Sequence, residues 1–154
     1  MKVELISTLI KGPADFQRIT SSSTITLVNF FAPWCHWCQA LAPTYEGVAQ
    51  RVKNGPLQSI ATVAKVDCTE PRNYDVCRMN KIQAYPTIIA YVPRGANKFI
   101  HYHGARTVDA LIHFIEGLNP LGSPLPGILA FLLSLRFLAY DEYLCQSGGL
   151  SNEG

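Results

Sequence analysis

The sequence predicts an α/β domain, a central mixed β-sheet flanked by helices on both faces, followed by a short appendage. Three observations carry this. β-Branched and aromatic runs alternate with stretches of helical periodicity as far as residue 118. Residues 24–32 (TITLVNFFA) are apolar on both faces at the centre of the run, as expected of a middle strand covered by helices. Directly after it, Cys35 and Cys38 stand at C-x-x-C spacing, where a strand gives way to a helix.

Residues 3–10 read as the first strand. Pro13 opens a short helix over 14–19, and the polar run Ser21 to Ser23 turns the chain into the 24–32 strand. From residue 35 to about 53, Cys38, Leu41, Ala42, Tyr45, Val48, Ala49 and Val52 recur on one helical face. Pro43 lies inside that pattern and is expected to kink the helix, because the periodicity resumes at once. Asn54-Gly55-Pro56 ends it. Residues 60–66 form the next strand and 72–80 a short helix. Residues 87–92 and 98–103 pair as a hairpin, because turn formers separate them. The last helix runs over 107–118, with Leu111, Phe114, Ile115 and Leu118 inward. The order is β-α-β-α-β-α-β-β-α.

At 154 residues the chain fits one domain, residues 1–118, with a Pro/Gly linker and apolar tail over 119–154. Asn119-Pro120 and Gly122-Ser123-Pro124 mark the boundary. In the tail, about eleven apolar residues pass before Arg136, whereas a spanning helix needs about 20. A packed or interfacial helix is expected there, with a membrane anchor or the start of a second domain as alternatives. Hydrophobic residues make up 48% of the chain, enough to build a core, and the net charge is only +2 with dispersed Lys and Arg. That pattern argues against a nucleic-acid partner. The opening MKVELISTLIKG lacks the apolar stretch of a signal peptide. The chain is therefore expected to be cytosolic, to begin after a leader or to be a fragment.

Two cysteines three positions apart sit one above the other across a helical turn. At the first turn, unpaired backbone N–H groups point at the Cys35 sulfur and favour its thiolate. Cys35 is thus the expected nucleophile and Cys38 the resolving thiol. Half of a zinc site has the same spacing, but no second C-x-x-C follows, and the strand-to-helix context favours redox chemistry, with metal none. Cys68 and Cys77 form a structural disulfide, two buried thiols or a second redox centre; Cys145 is left over.

At these residues a resemblance becomes specific. FFAPWCHWCQALAPTYEGVA resembles the active-site strand and helix of thioredoxin-fold protein disulfide isomerases, and Ala84-Tyr85-Pro86-Thr87 resembles the loop in which that family carries a cis proline. The resemblance spans about residues 3–118 and implies a thioredoxin-like fold. Within the family, the segment from Cys68 to Cys77 resembles the amino-terminal thioredoxin domain of quiescin sulfhydryl oxidases, whose flavin domain is absent here. The resemblance implies that Pro86 lies against the cysteines, that Tyr85 and Thr87 hold substrate backbone, and that Arg106 assists deprotonation of Cys38. An ordinary trans proline and a solvated arginine are the plainer readings. Lys65 matches the lysine beside the family's buried carboxylate, or is an exposed strand-end lysine.

Two departures stand out. Asn29 occupies the place of the family's buried acid and cannot titrate, so slower release of mixed disulfides is expected unless water or Arg106 substitutes. His36-Trp37 replaces the usual glycine-histidine, which leaves the effect of the imidazole on Cys35 open. Trp34 and Trp37 provide an apolar rim for unfolded chains or shield the pair.

The expected function is thiol–disulfide exchange with cysteine-containing protein substrates, with cofactors none and an unidentified redox partner. A secretory compartment such as the endoplasmic reticulum is expected. A thioredoxin-like reductase and a redox-inert client-binding module are the alternatives.

Overall fold

A computed structural model of the chain describes residues 6–93 and 99–119. The elements run β1 (Thr8–Leu9), α1 (Pro13–Thr20), β2 (Ile25–Phe31), α2 (His36–Lys53), β3 (Ala61–Asp67), a 3-10 turn (Pro71–Asn73), α3 (Tyr74–Met79), β4 (Thr87–Tyr91), β5 (Phe99–His101) and α4 (Val108–Gly117). They form one sheet of order β1-β3-β2-β4-β5. β2 pairs parallel with β3 and antiparallel with β4, which makes the sheet mixed as expected. These residues belong to a compact unit running Met1–Pro120. Apart from Asn119, the expected linker and tail (119–154) lie outside the described residues, as does most of the turn between β4 and β5. Among the described residues, no helix is long and apolar enough to cross a membrane.

Alternation along β2 divides the core in two. Ile25 and Leu27 point to one face, where they meet Leu41, Tyr45, Val48 and Val52 of α2 and Leu111, Ile112 and Ile115 of α4. Val28 and Phe30 point to the other, where they meet Ile19 of α1 and Val76 and Cys77 of α3. A strand buried on both sides has no polar face, which explains why the alternation was masked in its sequence.

Four expectations shift in detail. Of the first strand expected over 3–10, residues 3–5 lie outside the described residues, and in the remainder only Thr8–Leu9 is strand, because the Ile6 and Ser7 backbone N–H groups are spent on the Glu46 carboxylate rather than on a ladder. The 72–80 helix begins as a 3-10 turn at Pro71 before α3 forms. Ala42 stays exposed, because it faces a small cavity instead of the core. In α4, Ile112 is buried while Phe114 is only half-buried and covers the Tyr102 ring at 4.9 Å.

Helix starts follow local chemistry. Gly12 precedes α1 at φ 92, a conformation that a side chain disfavours, and Pro13 supplies the first helical position. Thr107 caps α4 by accepting a hydrogen bond from the Ala110 N–H at 3.3 Å. α2 continues through Pro43, with its first helical bond running from the Gln39 N–H to the Cys35 carbonyl at 3.0 Å.

Candidate active site

β2 delivers the chain to buried Ala32, and a turn through Pro33 and Trp34 leads to Cys35, the N-cap of α2. Cys35 has extended backbone (φ −78°, ψ 119°), and its sulfur accepts the Cys38 N–H at 3.3 Å. A thiolate is well served there, since the first turn of a helix carries N–H groups with no internal partner. Cys35 and Cys38 are free thiols and lie 9% and 5% exposed.

The two thiols are electrostatically unequal. A hydrogen bond from the Cys38 thiol, the Cys38 and Trp37 backbone N–H groups and the Arg106 charge together hold the Cys35 thiol below its ordinary range, against the opposing effect of burial. Burial, reinforced by the neighbouring Cys35, pushes Cys38 up to about 11, and Arg106 offsets this only in part. Cys35 is therefore the more readily ionised thiol and Cys38 the poorly ionised one. Arg106 is an exposed side chain in the loop before α4. The His36 ring lies edge-on to Trp37 at 5.5 Å, and the cation acting on Cys35 is Arg106.

Opposite the pair, Tyr85–Pro86 is a cis peptide. The Tyr85 carbonyl accepts the Cys35 thiol at 3.6 Å, so this loop lies directly against the nucleophile. Pro86 is buried; Thr87 opens β4 and donates its hydroxyl to the Ala84 carbonyl at 2.7 Å. Trp34 stands edge-on to Tyr85 at 6.1 Å, and Trp34 and Trp37 are 73% and 64% exposed. The loops thus bring Trp34, Cys35, Cys38, Tyr85 and Pro86 together, with Trp37 on the rim.

Beneath Cys38 lies a small cavity of about 70 Å³ walled by Asn29, Tyr45, Glu46 and Lys65. Asn29 is 4% exposed, and its Oδ1 has no hydrogen-bond partner. Glu46 brings a buried carboxylate to the same space from α2. Lys65 Nζ lies 2.6 Å from it, and Ser7 and the Ile6 and Ser7 N–H groups complete its coordination. Burial pushes the Glu46 carboxyl up, but these partners outweigh it and hold the carboxyl below its usual range. The side chain of Lys65 is only 14% exposed, so it is not a solvated strand-end lysine. Sequence reasoning missed Glu46. Its signal was the four-residue recurrence Cys38, Ala42, Glu46 along one helix face.

Cys68 and Cys77 are joined by a disulfide, with Cα atoms 5.9 Å apart. It packs with Val66, Phe30 and Val76 on the α1/α3 face, away from the C-x-x-C pair. Among the described residues, no group of three or more His, Cys, Asp or Glu side chains is placed to hold a metal ion.

The arrangement is that of a thiol–disulfide exchange centre: an activated thiol, a resolving thiol one turn on, and a backbone acceptor against the first. Residues 7–117 match the family described as Thioredoxin. The chain is 31% identical to the protein disulfide-isomerase of Saccharomyces cerevisiae over 144 residues, 92% of this chain and 26% of that protein. Among solved structures, the first two thioredoxin domains of Naumovozyma dairenensis Eps1p are similar, at 31% identity and TM-score 0.61 over 73% of this chain and 42% of that one. The Trx4 domain of ERdj5 is similar at 28% identity and TM-score 0.59, covering 73% of this chain and 94% of that domain. The chain spans about a quarter of the length of the curated relatives it matches.

Proposed function

The chain belongs to the thioredoxin family, and from that membership we propose that it exchanges disulfides with client proteins in the manner of the protein disulfide isomerases. The observation that carries the reading is the inequality of the two thiols, with Cys35 lowered and Cys38 raised to about 11. The Cys35 thiolate attacks one sulfur of a client disulfide; the Cys35–client bond forms, the client bond breaks and one client thiolate leaves. Cys38 then gives up its proton and attacks the Cys35 sulfur. The Cys35–Cys38 disulfide closes, the second client thiolate leaves, and two electrons have passed to the client. Run backwards, the steps oxidise a client dithiol.

Trp34 and Trp37 form the apolar rim on which a client chain rests, and Tyr85 and Thr87 hold its backbone beside Pro86. Arg106 assists ionisation of Cys38. A secretory compartment, the endoplasmic reticulum above all, suits a chain that keeps the Cys68–Cys77 disulfide. That segment also supports a kinship with the amino-terminal thioredoxin domain of quiescin sulfhydryl oxidases. The exposed tryptophans favour one second reading, a holding module for clients in which the cysteines are passive.

The reduction potential of the Cys35–Cys38 pair in glutathione buffers is the test. A value near about −180 mV supports isomerase or oxidase work, and one near about −270 mV a reductase. A pair that never cycles, with client holding retained in Cys35→Ser, leaves the holding module.

A further inference from the structure

Six ion pairs among the described residues engage Arg18, Arg51, Lys65, Arg72, Arg78 and His113. Lys81, Arg106, His101 and His103 join none of them. These four side chains, which come from two separate stretches of sequence, line a single open cleft of about 350 Å³. Among the described residues, no carboxylate lines it. Lys81 follows α3, His101 ends β5, and His103 and Arg106 stand in the loop that leads to α4. The two imidazoles stack at 6.1 Å with planes 14° apart on one wall, and each ring carries N–H donor capacity. Gly104 sets the shape of that wall: a Cβ there would meet the Tyr102 hydroxyl at 2.5 Å, so the loop folds tightly over the Tyr102 ring. That hydroxyl is in turn tied to the Ala105 carbonyl at 2.6 Å.

The cleft begins at the nucleophile's own loop. Pro86 and Thr87 form its near wall, and the Tyr85 carbonyl one residue earlier accepts the Cys35 thiol. A client chain held beside Pro86 therefore continues into a space with four cationic or N–H-donating side chains and, among the described residues, no acid. Unpaired cations converging on one concavity favour carboxylates entering it and repel lysine and arginine.

We propose that this cleft is a specificity site for acidic client segments, binding aspartate and glutamate side chains that flank the reacting cysteine. The proposal rests on the exchange reading for its biological use, although the binding itself does not require the cysteines to react.

Two measurements on the full chain separate these. In the first, the reduced protein is titrated with a cysteine-free peptide containing three Asp or Glu residues, and with its Asn/Gln counterpart, while backbone amide resonances are followed by NMR. The acidic peptide is expected to shift the amides of residues 81–88 and 101–106 and to bind about three- to tenfold more tightly at low salt, an advantage lost at about 0.5 M salt. The triple variant Lys81→Gln, His101→Gln, His103→Gln is expected to abolish the difference. Equal binding of the two peptides, or shifts confined to other surfaces, overturns the proposal. In the second, the same flanks are placed beside a disulfide and the rate of Cys35 attack is compared with that on uncharged hydroxyethyl disulfide. The acidic flank should speed attack severalfold in the native protein and not in the triple variant, with hydroxyethyl disulfide unaffected. Equal rates for the acidic and neutral flanks overturn the specificity role. Failure to react with hydroxyethyl disulfide removes the exchange reading, and the first measurement then still decides the cleft.

Discussion

Glu46 and Lys65 form a buried ion pair, 2.6 Å apart, on the floor of the cavity beneath Cys38. The carboxylate comes from α2 and the ammonium from β3, so the pair ties the active-site helix to the sheet at the level of the second thiol. It also joins the start of the described chain to the same point, through the Ile6 and Ser7 N–H groups.

Glu46→Ala should therefore be severe. It leaves the largely buried Lys65 ammonium and the Ile6 and Ser7 donors without their acceptor, at a cost of about 3 kcal/mol. Urea unfolding measures it. Replacing both partners together (Glu46→Met with Lys65→Met) should recover most of the loss, because no charge is then left unpaired. A single variant as stable as the native protein would refute the buried-pair account.

The same carboxyl makes stability fall in acid. Its folded pKa lies below its unfolded value of about 4.3, so the unfolded chain takes up the proton first as pH drops. The contribution is fully present above about pH 4.3 and disappears as pH falls through the folded value. Glu46→Gln should flatten that part of the stability–pH curve, as thermal melts across the acid range would show.

Release of the mixed disulfide should be the slow, base-dependent step. Burial is the largest cause of the high Cys38 pKa, and it persists once Cys35 is bonded to a client. Below about pH 11 the Cys38 thiolate fraction rises tenfold per pH unit, and the release rate should follow it until another step limits. Quenched-flow trapping of the covalent intermediate measures this. A release rate independent of pH between neutrality and mild alkali would contradict it. Slow release was expected from Asn29 on sequence grounds; the cavity adds the physical cause, a desolvated thiol.

Replacing Cys68 and Cys77 by serine should cost about 2–3 kcal/mol, the loop-closure value for a nine-residue separation. Exchange with a small disulfide should continue, because the Cys35–Cys38 pair belongs to a different cluster. Loss of exchange at a temperature where the variant remains folded would show that the two pairs are coupled.

Trp34→Ala with Trp37→Ala should change stability by less than about 0.5 kcal/mol, since both rings are mostly exposed. The loss should fall on protein clients through a higher KM, with small disulfides reacting as before. Insulin reduction compared with hydroxyethyl disulfide reduction checks the split.

Periodicity and spacing carried the element order and the placement of Cys35 at the mouth of α2 with Cys38 one turn on, because each depends on neighbours along the chain. The loop at Tyr85 and Pro86 was legible only through family resemblance: fifty residues separate Tyr85 from Cys35, and no local pattern joins them. Glu46 was hidden for a related reason. A glutamate among apolar helix positions reads as solvent-facing, and the partners that make it tolerable inside lie 19 and 39–40 residues away. The cleft was invisible as well, since Lys81 and the 101–106 segment lie some twenty residues apart in sequence and only the fold brings them to one concavity.

The sheet keeps two kinds of sulfur chemistry apart. One pair of sulfurs belongs to the helix that packs on one side of β2, and the other is anchored by α3 on the opposite side. Exchange passes only between sulfurs in direct contact, so a pair held in a separate cluster serves as a fixed clasp while the other opens and closes.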